Sequence, residues 1–390
     1  MKKIILMTAC TAAVLLSGCS DNELASAGDG IRTSTQNAIG FHVVGNQAET
    51  RATPITPTNI TSTNFKVFAF TRNENGTDGN FFMGEKADET TGQNGIKIDY
   101  TKGNWDYANA SDIHYWPVST PLNFYAVSPD YNPTVLPTYS WVINKDTKTI
   151  YYSSCDEYGG TTGEQNLDVM YAIKTNQTKD TNDGKVKFQF KHILSQVVFK
   201  AKKETENIEV EINGIKIHNF KLGGTYTLPT ISAIEGATEG TTEGTWTFNE
   251  LSKPTGISTV VKEKNISVTS SGADISVDTP MLFVPQSLTA WDVQTPKTKH
   301  DADQAGESYL EINCKIKHKQ DGAYILGSDT EYGTLYVPFG PTWKQGKRYT
   351  YTLIFGGGYD DQGKAILQPI NFDAEVDAWT DATESVDVKF

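Results

Sequence analysis

Bulky apolar residues in this chain come in short runs, many of them alternating with polar residues and separated by Gly, Asn, Asp and Thr. A period of two belongs to a strand with one face in a core and the other in water. The pattern predicts strands at residues 39–44, 65–70, 122–127, 186–190, 197–201, 208–212, 281–284, 309–316 and 349–355, with a turn at Asn73-Glu74-Asn75-Gly76. Only Lys191-His192-Ile193-Leu194-Ser195-Gln196 breaks the alternation, and it predicts a short helix. Residues 73–97 and 231–250, rich in Gly, Thr and acids, read as surface excursions. Strands of this spacing imply an all-β fold of antiparallel sandwiches. A fresh run of strands after Thr181-Asn182-Asp183-Gly184 places a boundary there, giving an N-terminal sandwich over 39–184 and a C-terminal one over 185–390.

Composition agrees. The chain has 390 residues, is 37% hydrophobic and 11% aromatic, and carries a formal charge of −13. With four arginines (Arg32, Arg51, Arg72, Arg348) it lacks the basic face a phosphate backbone demands, which excludes nucleic acid as a partner.

The first residues read as an address. Met1-Lys2-Lys3 is a positive n-region and residues 4–16 form an apolar stretch too short to span a bilayer. Leu16-Ser17-Gly18-Cys19 then resembles the lipobox of bacterial lipoproteins, so residues 1–18 are a signal peptide and Cys19 is the acylated, palmitate-bearing first residue of the mature chain. Loss of Lys2 and Lys3 takes the charge from −13 to −15. Ser20-Asp21-Asn22-Glu23 resembles a surface-export tag, which places the lipid-anchored precursor on the outer face of the outer membrane. Residues 19–38 have little to bury and form a flexible tether. Cys155 and Cys314 then remain, on opposite sides of the boundary, and no bridge is expected between them.

Catalytic signatures are missing from the sequence. His42, His114, His192, His218, His300 and His318 are dispersed, with no zinc spacing, HExxH, GxSxG or Walker loop, so no enzyme, metal or cofactor is expected. Gly356-Gly357-Gly358-Tyr359-Asp360-Asp361 reads as a hairpin turn, residues 180–184 as a solvated turn, and His192 as a hydrogen-bonded structural residue.

Four stretches taken together resemble the fimbrillin family of the Bacteroidales: Glu49-Thr50-Arg51-Ala52-Thr53-Pro54; Tyr115-Trp116-Pro117 leading to Leu122-Asn123-Phe124-Tyr125-Ala126; Asp168-Val169-Met170-Tyr171-Ala172 before Phe190-Lys191-His192; and Trp343, Tyr349-Thr350-Tyr351 and Trp379. The resemblance implies two tandem β-sandwiches of the fimbrillin type and a type V pilus subunit exported as a lipoprotein. It further implies cleavage by an arginine-specific protease, loss of the first strand, and assembly with other subunits into a fimbrium. Arg51-Ala52 matches the cut position, Arg32 competes with it, and Ile39, Phe41 and Val43 are the apolar side chains of the strand that leaves.

Strand exchange also has an independent physical basis. Taking one strand from a sheet exposes unpaired N–H and C=O groups and empties the pockets of alternate side chains, which an incoming strand refills. Val386, Val388 and Phe390 alternate with Asp387 and Lys389 and suit a donor strand. Three such side chains are worth roughly 4.5 to 9 kcal/mol before ordering costs. The same segment also suits the last strand of its own domain. A different class of function, a non-polymerising surface lipoprotein that binds glycan or host ligand, requires exposed aromatic platforms, with Trp105, Tyr107, Trp246 and Trp291 as candidates.

Overall fold

The computed structural model describes residues 37–44, 60–87, 92–130, 138–153, 157–158, 167–203, 205–236, 242–248, 254–261, 265–276, 281–295, 297–355, 358–367, 371–378 and 383–384. The fold is all-β. The first half of the chain lays down β1 (Gly40–Val43), β2 (Asn64–Arg72), β3 (Asp78–Met83), β4 (Ile96–Thr101), β5 (Asn104–Tyr107), β6 (Leu122–Ser128), β7 (Thr138–Ile143), β8 (Lys148–Ser153), β9 (Glu157–Tyr158), β10 (Met170–Gln177), β11 (Lys185–Phe188) and β12 (Lys191–His192). The second lays down β13 (Ser195–Lys203), β14 (Ile208–Phe220), β15 (Gly223–Thr227), helix α1 (Ile231–Glu235), β16 (Thr245–Thr247), β17 (Gly256–Val261), β18 (Ile266–Ser267), β19 (Ala273–Asp274), β20 (Met281–Phe283), helix α2 (Lys299–Ala305), β21 (Tyr309–His318), β22 (Tyr324–Leu326), β23 (Gly333–Pro338), β24 (Lys347–Phe355), β25 (Gly358–Tyr359), β26 (Ala365–Leu367), β27 (Asn371–Ala378) and β28 (Thr383–Glu384).

A nine-stranded sheet runs β11-β1-β5-β4-β2-β6-β10-β12, with β3 on β2, and a four-stranded sheet runs β16-β15-β8-β7. β2 and β6 are buried on both faces, which is why they read as continuous apolar runs. Phe68, Phe70, Tyr125 and Tyr171 pack against Trp141, Ile150, Tyr152 and Tyr226 of the four-stranded sheet. On the opposite face Phe65, Val67 and Ala126 meet Phe41, Val43, Trp105 and Phe188 from the far end of the same sheet, so that sheet curls over its own core.

The other core lies between a six-stranded sheet, β19-β13-β24-β27-β28 with β20 on β13, and a nine-stranded one, β26-β25-β23-β21-β14-β17-β9 with β18 and β22 attached. Tyr349, Tyr351, Leu353 and Phe355 of β24 alternate into it against Leu310, Ile312, Cys314 and Ile316 of β21. A bulge between Ile212 and Gly214 shifts the parity of β14, so Val210 and Ile212 before it and Ile215 and Ile217 after it all enter this core. β20 serves both cores, Met281 and Phe283 facing this one and Leu282 and Val284 the first.

Several expectations change. Residues 191–196 form no helix: β12 and the start of β13 occupy them, and Ile193 and Leu194 anchor the first core between the two strands. The excursion over 73–97 contains β3, and that over 231–250 contains α1 and β16. Pairing is not wholly antiparallel, since β1–β11, β13–β24 and β9–β17 are parallel. The boundary between 184 and 185 is crossed by sheet pairing: β11 joins β1, β15 joins β8, and β9 joins β17. Thr181–Gly184 is a 3-10 turn with Asp183 at φ 55° and Gly184 at φ 76°, feeding a strand back into the sheet it came from. Gly and Asp report a reversal of the chain without saying whether it leaves a domain. The glycine-rich stretch at 356–361 does enter a hairpin: Gly358–Tyr359 form β25, which pairs antiparallel with β26, and the turn between them opens at Asp360, whose N–H donates to the Lys364 carbonyl at 2.9 Å, while residues 356 and 357 lie outside the described residues.

Candidate functional site

The candidate site is β1 and the slot it fills. β1 lies inside its sheet, parallel to β11 (Gly40 opposite Lys185 through Val43 opposite Phe188) and antiparallel to β5 (Phe41 opposite Trp105). Its flanks are tied to neighbours: the Ile39 N–H donates to the His114 carbonyl at 2.9 Å and the Val44 N–H to the Phe188 carbonyl at 2.8 Å. Ile39, Phe41 and Val43 are 1%, 5% and 9% exposed, so every inward side chain of this short element is in the core. Phe41 stacks on Phe188 (6.2 Å between centroids, 7° between planes) and meets Phe65 and Tyr107 edge-on at 6.3 and 5.5 Å.

The outward face is polar. His42 lies opposite Lys187, with Lys185 two pairs away, and both lysines are exposed. Partial burial first, then the charges of Lys187 and Lys185, hold its imidazole below the usual histidine range. β11 is the edge of the sheet and depends on β1 for its strand pairing; besides that, the Trp116 Nε1–H donates to the Gly184 carbonyl at 3.0 Å just before it. Without β1, β11 and β5 would face each other across a slot about 9 to 10 Å wide, two strand spacings, bordered by unpaired backbone. Such a slot binds one extended segment and offers pockets at every second residue.

The remaining predicted site residues are not brought into this slot by any observed contact. Cys19, Arg51, Ala52, Val386, Val388 and Phe390, together with Arg32, Cys155 and Trp379, lie outside the described residues. β28, which ends at Glu384, pairs with β27 at the edge of the six-stranded sheet, and residues 385–390 follow it in sequence. The candidate glycan platforms are packed: Trp105 and Trp291 are 8% and 2% exposed, Tyr107 and Trp246 are half-buried, and the Trp246 indole donates to the Ile193 carbonyl at 3.0 Å. His192 Nδ1 sits 2.8 and 2.9 Å from the two carboxylate oxygens of buried Asp168. Cys314 is buried in the second core, which pushes its thiol up to about 12. Among the described residues no group of three or more His, Cys, Asp or Glu is placed to hold a metal ion.

Sequence reasoning missed a polar cluster beneath the first core. The Asp78 carboxylate takes hydrogen bonds from Tyr125 (2.7 Å) and Asn123 (2.9 Å) and pairs with Lys148 at 2.7 Å. Asp78 falls in a stretch rich in loop-forming residues, and no local signal shows that it is buried. The cluster is a satisfied structural network in which the Lys148 ammonium also sits over the Phe70 and Tyr125 rings.

Residues 50–379 match the family model described as fimbrillin-like. The chain belongs to that family. Over 98% of its own length and 98% of the relative's, it is 23% identical to fimbrium subunit Fim1C of Phocaeicola vulgatus. Its fold is that of a crystallised fimbrial protein from Bacteroides vulgatus, with TM-score 0.57, 18% identity, and coverage of 88% of this chain and all of that one. The tip fimbrial protein Mfa3 of Porphyromonas gingivalis, truncated at its C-terminus, aligns over 81% of this chain and 94% of its own with 9% identity and TM-score 0.33. A fimbrillin-like chain is a structural protein of fimbriae or cell adhesion and not an enzyme.

Proposed function

We propose that this protein is a pilus subunit that exchanges its first strand. It is exported as a lipoprotein acylated on Cys19, held at the outer membrane, and cut between Arg51 and Ala52 by an arginine-specific protease. The released segment carries β1 with it. A neighbouring subunit then supplies Val386, Val388 and Phe390 to the pockets that Ile39, Phe41 and Val43 leave, and repetition of that step builds the fimbrium.

One observation carries this reading: β1 is a short strand, buried on its inner face, held between two strands that it alone joins. Its apolar residues fall at i, i+2 and i+4, the spacing repeated by Val386, Val388 and Phe390.

The test compares purified precursor with an Arg51→Lys variant, each treated with an arginine-specific endoprotease and run on a gel without boiling. The reading expects a ladder from the first and a monomer from the second. Ladders of equal intensity from both would contradict it.

A further inference from the structure

The cationic residues are unevenly chosen. The chain carries thirty lysines and four arginines. Two of the arginines, Arg32 and Arg51, precede the first strand of the matched body, and the other two, Arg72 and Arg348, are locked into sheets. The Arg72 guanidinium grips Glu235 in a two-point fork, with nitrogens 2.8 and 2.9 Å from the two carboxylate oxygens, and also donates to the Gly76 carbonyl at 3.1 Å and Asn123 Oδ1 at 3.3 Å. The peptide bond that follows Arg72 is tied on both sides, the Arg72 N–H donating to the Pro121 carbonyl and the Asn73 N–H to the Thr77 carbonyl, each at 2.9 Å. Arg348 sits in β24 with strands on both sides, opposite Gln196 of β13 and Asp377 of β27.

The exposed turns carry lysine instead. Lys102 lies in the β4–β5 turn, Lys145 in the β7–β8 turn and Lys319 just after β21, all exposed. At such sites Arg and Lys give the surface the same charge, and weak exposed ion pairs do not distinguish them. An endoprotease that reads the guanidinium in its specificity pocket does distinguish them. It also needs several residues in extended form, which an exposed turn can supply by opening a few flanking pairs and a central strand only after much larger local unfolding.

We propose that the folded body is depleted of reachable arginine, so that the protease that matures the subunit finds an address only in the leader segment. The inference rests on the processing reading above and adds a selectivity device to it. Lysine supplies the surface cations, and the two arginines kept in the body are those that sheet pairing hides.

The experiment treats native full-length precursor with clostripain, an arginine-specific endoprotease, and maps cuts by mass spectrometry. Wild type is expected to give cuts after Arg51, or after Arg32, with cuts after Arg72 and Arg348 slower by roughly 100-fold or more, as local unfolding of strand positions requires. Lys102→Arg, Lys145→Arg and Lys319→Arg variants, which keep the charge, are each expected to gain a second cut at the new arginine within about tenfold of the leader rate, since a turn tip needs little unfolding. Cleavage of native wild type after Arg72 or Arg348 at the leader rate, or three lysine-to-arginine variants with no new cut, would overturn the inference while leaving the processing reading intact. A precursor left whole at Arg51 and Arg32 under the same conditions would instead refute that reading.

Discussion

Phe41 concentrates the contacts that hold the first strand, touching Phe65, Tyr107 and Phe188. Removing a buried phenyl ring from such a cluster costs about 3 kcal/mol or more. Phe41→Ala is therefore expected to lower the unfolding free energy of the intact precursor, read from denaturant titration, by that amount, and to leave unchanged the unfolding of the chain cut after Arg51, which no longer contains it. A loss of stability that persists after the cut would place the effect elsewhere. On the face of β14 and β21 turned away from the second core, His218 Nε2 lies 3.0 Å from Glu311 Oε2, and the ring stacks on Tyr309 at 4.7 Å. The adjacent His218 ring is the largest influence holding the Glu311 carboxyl below the usual glutamate range. A lowered carboxylate stabilises the fold at pH values above its unfolded value and ceases to as the pH falls through the folded one. Glu311→Gln is expected to cost about 1 kcal/mol at neutral pH. Thermal scans should show that gap closing as the pH drops below the ordinary carboxylate range of about 4.

At the scale of elements, the slot around β1 predicts a local change in protection. Amides of residues 185–188 form their sheet bonds with β1, so hydrogen exchange over β11 should rise sharply after cleavage and return when subunits assemble, while β14 and β21 in the second core stay protected throughout. Uniform exchange across the cut would argue that β1 stays in place. The strands were legible because alternation survives wherever one face is wet: β21, with Leu310, Ile312, Cys314 and Ile316 inward, can be read by eye. What could not be read depends on distant partners. β3 opens with Asp78-Gly79-Asn80, residues of a loop, and becomes a strand because β2 offers it an edge and Tyr125, Asn123 and Lys148 satisfy Asp78. The parallel pairing of β1 with β11 leaves no mark on either strand. α2 did leave one: Thr298 caps it and Asp301 returns the bond, a spacing present in the sequence, but the helix is short and lies beyond a turn-rich stretch.

For the whole molecule, the alternating pattern was a sound guide to class, and the turn at residues 181–184 a poor one to where the sheets end. Short alternating apolar runs in an aromatic-rich chain pointed to an all-β protein, and the sheets agree. The division at residue 184 failed to follow the sheets because strands from both sides of it complete each other's layers, and because β20 points alternate side chains into two cores. In the proposed exchange the two cores stay bound together while one short strand, β1, is replaced. The most direct measurement of that claim is the intact mass of subunits extracted from assembled fibres. Chains that begin at Ala52 are predicted, with residues 39–44 absent from the polymer. Fibres composed of chains that still carry those residues would contradict it.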